Sequence, residues 1–275
     1  MTWATVLVNL GLGGSNAGLL RAAAEVAQRF DARVIAVAVA QPMLIDYGGG
    51  YVSGDMIEQY WDATQTMTRD AETECRKLLE PSVKSFEWRP TSDYRSMADQ
   101  IASVARAGDL IMTSMTPGDR LDSPRGVGPG DVAMQAGRPV LVVPEHCARI
   151  SLDRVVIGWK DARETRRAAS DALPLLKRAS HVTVAEVGPE DELEASRARL
   201  ADVAGWLQRH GVSAETLAAA SAGDDAAQLN ALAQERDAGV VVAGAYGHSR
   251  LHEWALGGVT RDLLLRTERC SLLSH

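Results

Sequence analysis

The sequence predicts an α/β protein built from two tandem units, each a five-stranded parallel sheet (Rossmann-like) with helices on both faces. Three observations predict it. Short apolar runs of strand length alternate with longer helical patterns along the whole chain. The strand–helix order runs through once up to Pro144 and restarts at Arg154. The leading runs, TVLVNL, RVIAVAV, RVVIGW and HVTVAEV, are apolar nearly throughout rather than alternating, as strands buried on both faces are. A chain of 275 residues suits two domains of about 100–150 residues each, placed at 1–147 and 152–275.

The first copy opens with the strand Thr5–Leu10. A turn at Gly11-Leu12-Gly13-Gly14 leads to Ser15 and Asn16, either of which can cap a helix over Ala17–Phe30; Leu20, Ala24 and Ala27 give that helix an apolar face. The second strand, Arg33–Val39, completes a βαβ unit. From Gln41 to Tyr60 the pattern loosens around Gly48, Gly49, Gly50 and Gly54. Tyr47, Tyr51, Tyr60 and Trp61 gather there, suited either to stacking on a ligand base or to capping a core. A polar amphipathic helix follows over Asp55–Leu79. Then come a strand at Ser85–Pro90, a helix at Ser96–Arg106, and strands at Asp109–Ser114 and Arg138–Pro144.

After a linker over Glu145–Leu152 the second copy begins. Arg154–Trp159 parallels Thr5–Leu10, Asp161 starts a helix to about Arg178, and His181–Val187 parallels Arg33–Val39. A charged helix over Glu190–His210, a weak strand at Ala214–Ala219, and a helix over Ala226–Glu235 opened by Asp224 and Asp225 come next. Val240–Ala243 and Cys270–Ser274 supply the last two strands.

Composition sets the class. With 46% hydrophobic and 24% charged residues, either half can build a core without staples. A net charge of −7 argues against a general nucleic-acid or anionic-membrane surface, so no nucleic-acid and no membrane partner is expected. No apolar run reaches the length of a membrane span, and MTWATVLVNL lacks the basic start of a secretion signal. Cys75, Cys147 and Cys270 are far apart and odd in number, showing no disulfide framework or metal-binding pair; a reducing cytoplasm is the expected setting.

The stretch most suggestive of a ligand is GVVVAGAYGHSRLHEWALGGVT, Gly239–Thr260. A buried strand runs into Gly244 and Gly247, a polar loop follows, and Gly257-Gly258 lead into a helical segment. Glycine turns before a helix let an anion reach backbone N–H groups. The spacing is neither GxGxxG nor GxxxxGK[ST]. Gly118 and Gly128 echo it in the first copy. There, however, Met115 stands for Gly244 and Pro129 for Gly258, and Pro117, Pro124 and Pro129 stiffen the loop, so that copy reads as degenerate. His248 and His252, with Glu253, have helical i, i+4 spacing but no third metal ligand nearby, and no metal site is expected. His275 is terminal and carries no signal. No nucleophile elbow or catalytic base stands out.

This stretch, with VVIGWKDARETRRAASDAL at the opening of the second copy, resembles the universal stress protein family, and the repeat extends the resemblance over nearly the whole chain as a tandem member. The resemblance implies a strand order of 3-2-1-4-5 in each copy and a cleft beyond the carboxyl ends of strands one and four. It implies a stress-response or regulatory module binding ATP or another adenine nucleotide, with Mg accompanying it, in the second copy. Gly244, Gly247, Gly257, Gly258 and Val259 would frame the phosphates, with Thr260, Trp159 and Lys160 beside them. Two departures are visible: Gly258 stands where the family has Ser or Thr, and Lys160 where it has an acidic residue, the matching place in the first copy being Leu10. The first copy is then the structural partner in an intrachain pseudo-dimer. The apolar strands Val140–Val143 and Leu272–Leu273 offer edges through which a homodimer could form. The alternative readings are a non-nucleotide interaction protein and, third, a slow nucleotide hydrolase.

Overall fold

A computed structural model of the chain describes residues 2–42, 53–115, 127–145, 147, 149–245 and 269–275. The first repeat contains β1 (Thr5–Leu10), α1 (Ala17–Phe30), β2 (Arg33–Ala40), α2 (Gly54–Leu79), β3 (Phe86–Ser92), α3 (Met97–Ala105), β4 (Leu110–Met115), α4 (Pro129–Ala136) and β5 (Val140–Pro144). The second contains β6 (Arg154–Gly158), α5 (Arg163–Asp171), α6 (Leu173–Leu176), β7 (His181–Gly188), α7 (Leu193–Arg209), β8 (Glu215–Ala220), α8 (Asp225–Glu235), β9 (Val240–Gly244) and β10 (Cys270–Ser274).

Every strand that the sequence predicts is present. The predicted helix over 161–178 is divided: Pro174 has no N–H to give and crowds the preceding turn, so α5 ends at Asp171 and α6 restarts beyond it. Polar side chains fix several helix starts. Ser53 accepts from the Met56 N–H, Ser96 from Asp99 and Asp224 from Ala227. Gly128 and Pro129, read in sequence as part of a degenerate loop, form the N-terminus of α4, where proline's missing N–H costs nothing.

The ten strands form one sheet in the order β3-β2-β1-β4-β5-β10-β9-β6-β7-β8. Each half is parallel within itself and has the predicted order 3-2-1-4-5, mirrored in the second half. The halves meet where β5 and β10 pair antiparallel, Leu141 opposite Leu272. The repeats are thus related by a pseudo-twofold axis normal to the sheet. This corrects the expectation that Val140–Val143 and Leu272–Leu273 are edges open to another chain: each edge is consumed by the other. The outer edges of the sheet are β3, where Pro90 interrupts the N–H row, and β8.

A twofold normal to the sheet leaves equivalent helices on the same face. One core packs α1, α2, α5, α6 and α7 against Val6, Val8, Val155 and Ile157; the other packs α3, α4 and α8 against Leu7, Ile35, Val156 and Val241. Both cores run across the join, so the repeats share their interior. The linker closes the join on one face. There the half-buried Cys147 contacts the buried Cys270 thiol to thiol, bringing together two cysteines that the sequence separates widely. Among the described residues, no helix is long and apolar enough to cross a membrane and no cluster of side chains could hold a metal ion.

Candidate functional site

Crossover connections lift helices to either side of β1 and β4 and leave a crevice beyond the carboxyl ends of these strands. In the first repeat this crevice is a cleft of about 1100 Å³. Its floor is Asn9 of β1 and Thr113 of β4, both nearly buried, with the Asn9 amide N–H donating to Thr113 Oγ1 at 3.3 Å. Val39 and Ala40 of β2 form one wall. The long helix α2 forms another with Tyr60, Thr64 and Met67. The Tyr60 hydroxyl donates to the Gln41 carbonyl at 2.8 Å, holding the ring at the cleft rather than in a core. Tyr60 was one of four aromatics open to either role; Tyr47 and Tyr51 lie outside the described residues.

The rim is the turn Gly11–Asn16. Asn16 does not cap α1 with its side chain. Its amide folds back, with Oδ1 accepting from the Gly11 N–H at 2.9 Å and Nδ2 donating to the Gly11 carbonyl at 3.0 Å. Ser15 Oγ accepts from the Ala17 N–H at 3.2 Å, which satisfies one donor at the start of α1. Gly13 has φ +84°, a left-handed backbone that favours glycine, and it lies close beneath Met67 of α2. Glu74 of α2 reaches across to the same turn, accepting from Ser15 Oγ at 2.7 Å and from the Asn16 N–H at 2.9 Å. No sequence pattern marks Glu74, because its partners lie a whole helix, strand and loop away.

In the second repeat the space is used differently. Asp109 N–H bonds to the Thr5 carbonyl just as Gly239 N–H bonds to that of Arg154, which makes Thr5 equivalent to Arg154. Lys160 then corresponds to Gly11, not Leu10, and Gly244 to Ser114, not Met115. The connection Trp159–Ala162 is shorter than Gly11–Asn16, so α5 starts sooner and its first turn rests on the end of β9. A Cβ on Gly244 would lie 2.7 Å from the Glu164 carbonyl carbon and from the Thr165 nitrogen. Gly244 therefore lies directly against the first turn of α5. Glu164, only 8% exposed, is held there by Arg163 at 3.0 Å.

Trp159 is buried in the core under α5–α7, and its indole N–H has no partner among the described residues. Lys160 is exposed, and its neighbour Asp161 pairs with Arg166 at 2.6 Å. His275, without signal in sequence, lies beside the end of β9. Its Nδ1 is 3.1 Å from the Ala245 carbonyl and its Nε2 is 3.3 Å from Arg163, which the Nδ1–H tautomer satisfies together. Gly247, Gly257, Gly258, Val259 and Thr260 of the expected phosphate loop, and His248, His252 and Glu253, lie outside the described residues, as does Gly118.

No family model and no curated protein matches the sequence. Solved structures do match. A universal stress protein from Archaeoglobus fulgidus DSM 4304 aligns with a TM-score of 0.75 at 15% identity, over 98% of this chain and 95% of that one. A functionally unknown protein from Pseudomonas aeruginosa PAO1 aligns at 0.62 and 17% identity, over 99% and 92%. A candidate universal stress protein from Pseudomonas aeruginosa UCBPP-PA14 aligns at 0.60 and 18% identity, over 99% and 93%. The two-repeat sheet and its mirrored strand order are therefore the fold of the universal stress proteins, built twice in a single chain.

Proposed function

We propose that the protein is a stress-response regulatory module that binds one small ligand of the adenine nucleoside or nucleotide class in the cleft of its first repeat. The second repeat, occupying residues 152–275, is its structural partner, and together the repeats form a pseudo-dimer within one chain. The observation that carries this reading is the cleft itself: about 1100 Å³, placed at the carboxyl ends of β1, β2 and β4, and floored by the buried polar pair Asn9 and Thr113. The reading exchanges the roles expected from the glycine pattern, because α5 rests on Gly244 in the second repeat while the longer turn keeps the first repeat open.

A second reading keeps a nucleotide, with its Mg, in the second repeat. Gly244, Gly247, Gly257, Gly258, Val259 and Thr260 would frame the phosphates, with Trp159 and Lys160 at the other side. The indole N–H of Trp159, buried and without a partner among the described residues, favours it. Calorimetric titration of the ligand-stripped chain with adenosine, AMP, ADP and ATP in the presence of magnesium separates the two. Loss of binding in Thr113→Val with retention in Gly247→Val supports the first-repeat cleft. The opposite pattern supports the second repeat. No heat with any of the four compounds at millimolar concentration would leave the interaction-protein reading in their place.

A further inference from the structure

The join between the repeats brings together a pair of thiols that neither repeat holds alone. Cys270 is the first residue of β10, and its neighbour Ser271 stands opposite Val142, which sets Cys270 beside the end of β5. Pro144 ends β5, and the chain turns back at once: the Cys147 N–H donates to the Pro144 carbonyl at 2.9 Å. That turn returns Cys147 to the core that holds Cys270, Leu141 and Val143, where the two thiols meet. The linker is fixed on both sides of this meeting. Before it, the Glu145 carbonyl oxygen lies 3.0 Å from where a Cβ on Gly18 of α1 would stand. After it, the Ile150 N–H donates to Glu25 Oε2 of α1 at 3.3 Å.

The two thiols are not equivalent. Cys147 is half-buried, so a small solute can reach it, whereas Cys270 is fully buried. Cys147 Sγ donates to the Arg149 carbonyl at 3.1 Å and takes the Cys270 hydrogen in turn. The contact lowers the Cys147 thiol to about 7 and, together with burial, holds Cys270 well above the ordinary thiol range. Cys147 is thus the accessible nucleophile, and Cys270 is a second thiol already in contact with it. Cys75 offers a contrast within the same chain. It is buried on α2, and burial pushes its thiol up to about 12.

We propose that Cys147 and Cys270 form a peroxide-sensitive dithiol that closes to an intrachain disulfide and clasps the linker to β10 across the join. The Cys147 thiolate, its proton given to solvent, attacks one oxygen of hydrogen peroxide. The O–O bond breaks, the departing hydroxide takes up a proton as water, and Cys147 becomes a sulfenic acid. The Cys270 sulfur then attacks the Cys147 sulfur. The S–O bond breaks, and the hydroxyl leaves as water with the Cys270 proton. Both thiols are oxidised and the peroxide is reduced to water. A small thiol such as glutathione returns the pair to its open form by exchange.

The test is treatment of the reduced full chain with equimolar hydrogen peroxide, followed by alkylation under denaturing conditions and peptide mapping. The expected product links the peptides of Cys147 and Cys270, leaves Cys75 free to be alkylated, and contains no bond between chains. The bridge closes a long loop, so the oxidised chain should melt about 5 °C or more above the reduced one and return on adding reductant. In Cys270→Ala the same treatment should stop at the sulfenic acid of Cys147, trapped as its dimedone adduct. If that variant does not fold, Cys147→Ser replaces it, and there Cys270 should stay a free thiol after peroxide. Cys270 alkylated as fully after peroxide as before it would overturn the proposal, whatever the state of Cys147. So would a bridge made to Cys75 or to a second chain instead. A bridged chain that melts no higher than the reduced one would overturn the clasp while leaving the disulfide in place.

Discussion

Replacing Gly244 by alanine tests whether that glycine serves packing or a ligand. The added methyl carbon would meet the Glu164 carbonyl carbon and the Thr165 nitrogen at 2.7 Å and Glu164 Cβ at 2.8 Å. Ordinary contact begins near 3.4 Å, so strand and helix must separate by some 0.7 Å. Two of the three atoms are backbone, so no rotamer change relieves the clash. Overpacking of this kind costs typically about 1–3 kcal/mol, and rigid backbone on the receiving side puts the substitution at the upper end. Burying one methyl group returns about 0.8 kcal/mol, which leaves a net loss of roughly 2 kcal/mol. For a cooperative unit of this size that is a fall in Tm of about 4–8 °C. The assay is calorimetric melting of the ligand-free variant beside the parent. Ser114, at the equivalent place in the first repeat, carries a Cβ without such contacts, so Ser114→Gly is the control and should not gain stability. An unchanged Tm in Gly244→Ala would refute the packing account. If nucleotide binding were lost at the same time, the second-repeat site would be the better explanation.

Three further outcomes follow from the fold. Hydrogen bonding from Cys270 lowers the Cys147 thiol to about 7, whereas burial pushes Cys75 up to about 12. The thiolate is the reactive form, so alkylation in the folded protein should label Cys147 first, with a rate that rises with pH through about 7, and should spare Cys75, as peptide mapping would show. Leu272→Ala removes a fully buried side chain opposite Leu141 at the join. It should cost about 2–5 kcal/mol and lower a single melting transition rather than split it, because both cores cross the join. A fragment ending at residue 147 would expose the apolar edge of β5 that β10 covers. Size-exclusion chromatography should show it dimeric or aggregated, and a well-behaved monomer would contradict the shared interior.

Much of this architecture is written locally. TVLVNL, RVIAVAV, RVVIGW and HVTVAEV identify themselves as strands because each is an apolar run of strand length, and those runs sit where β1, β2, β6 and β7 form. The restart at Arg154 announced a second copy of the same unit. The break at Pro174 is also local and follows from the chemistry of proline, although the helical pattern on either side masks it.

The join and the cleft belong to the tertiary structure. Val140–Val143 and Leu272–Leu273 look like free edges in sequence because nothing local tells a strand that its partner lies in the other half of the same chain. Equivalence between the repeats is set by sheet register, which aligns Lys160 with Gly11 and Gly244 with Ser114, each one place from where the sequence placed them. The longer turn after β1 and the shorter one after β6 set how far α1 and α5 start from the strand ends. The rim turn of the first-repeat cleft is tied to α2 by Glu74, whose partner Asn16 lies 58 residues away. The sequence by itself determined which segments are strands and helices and that they occur twice, since those properties depend on side-chain period and near neighbours. Only the tertiary structure decided which backbone N–H groups at the cleft are already taken, because hydrogen bonds between distant segments exist only once the chain has brought them together.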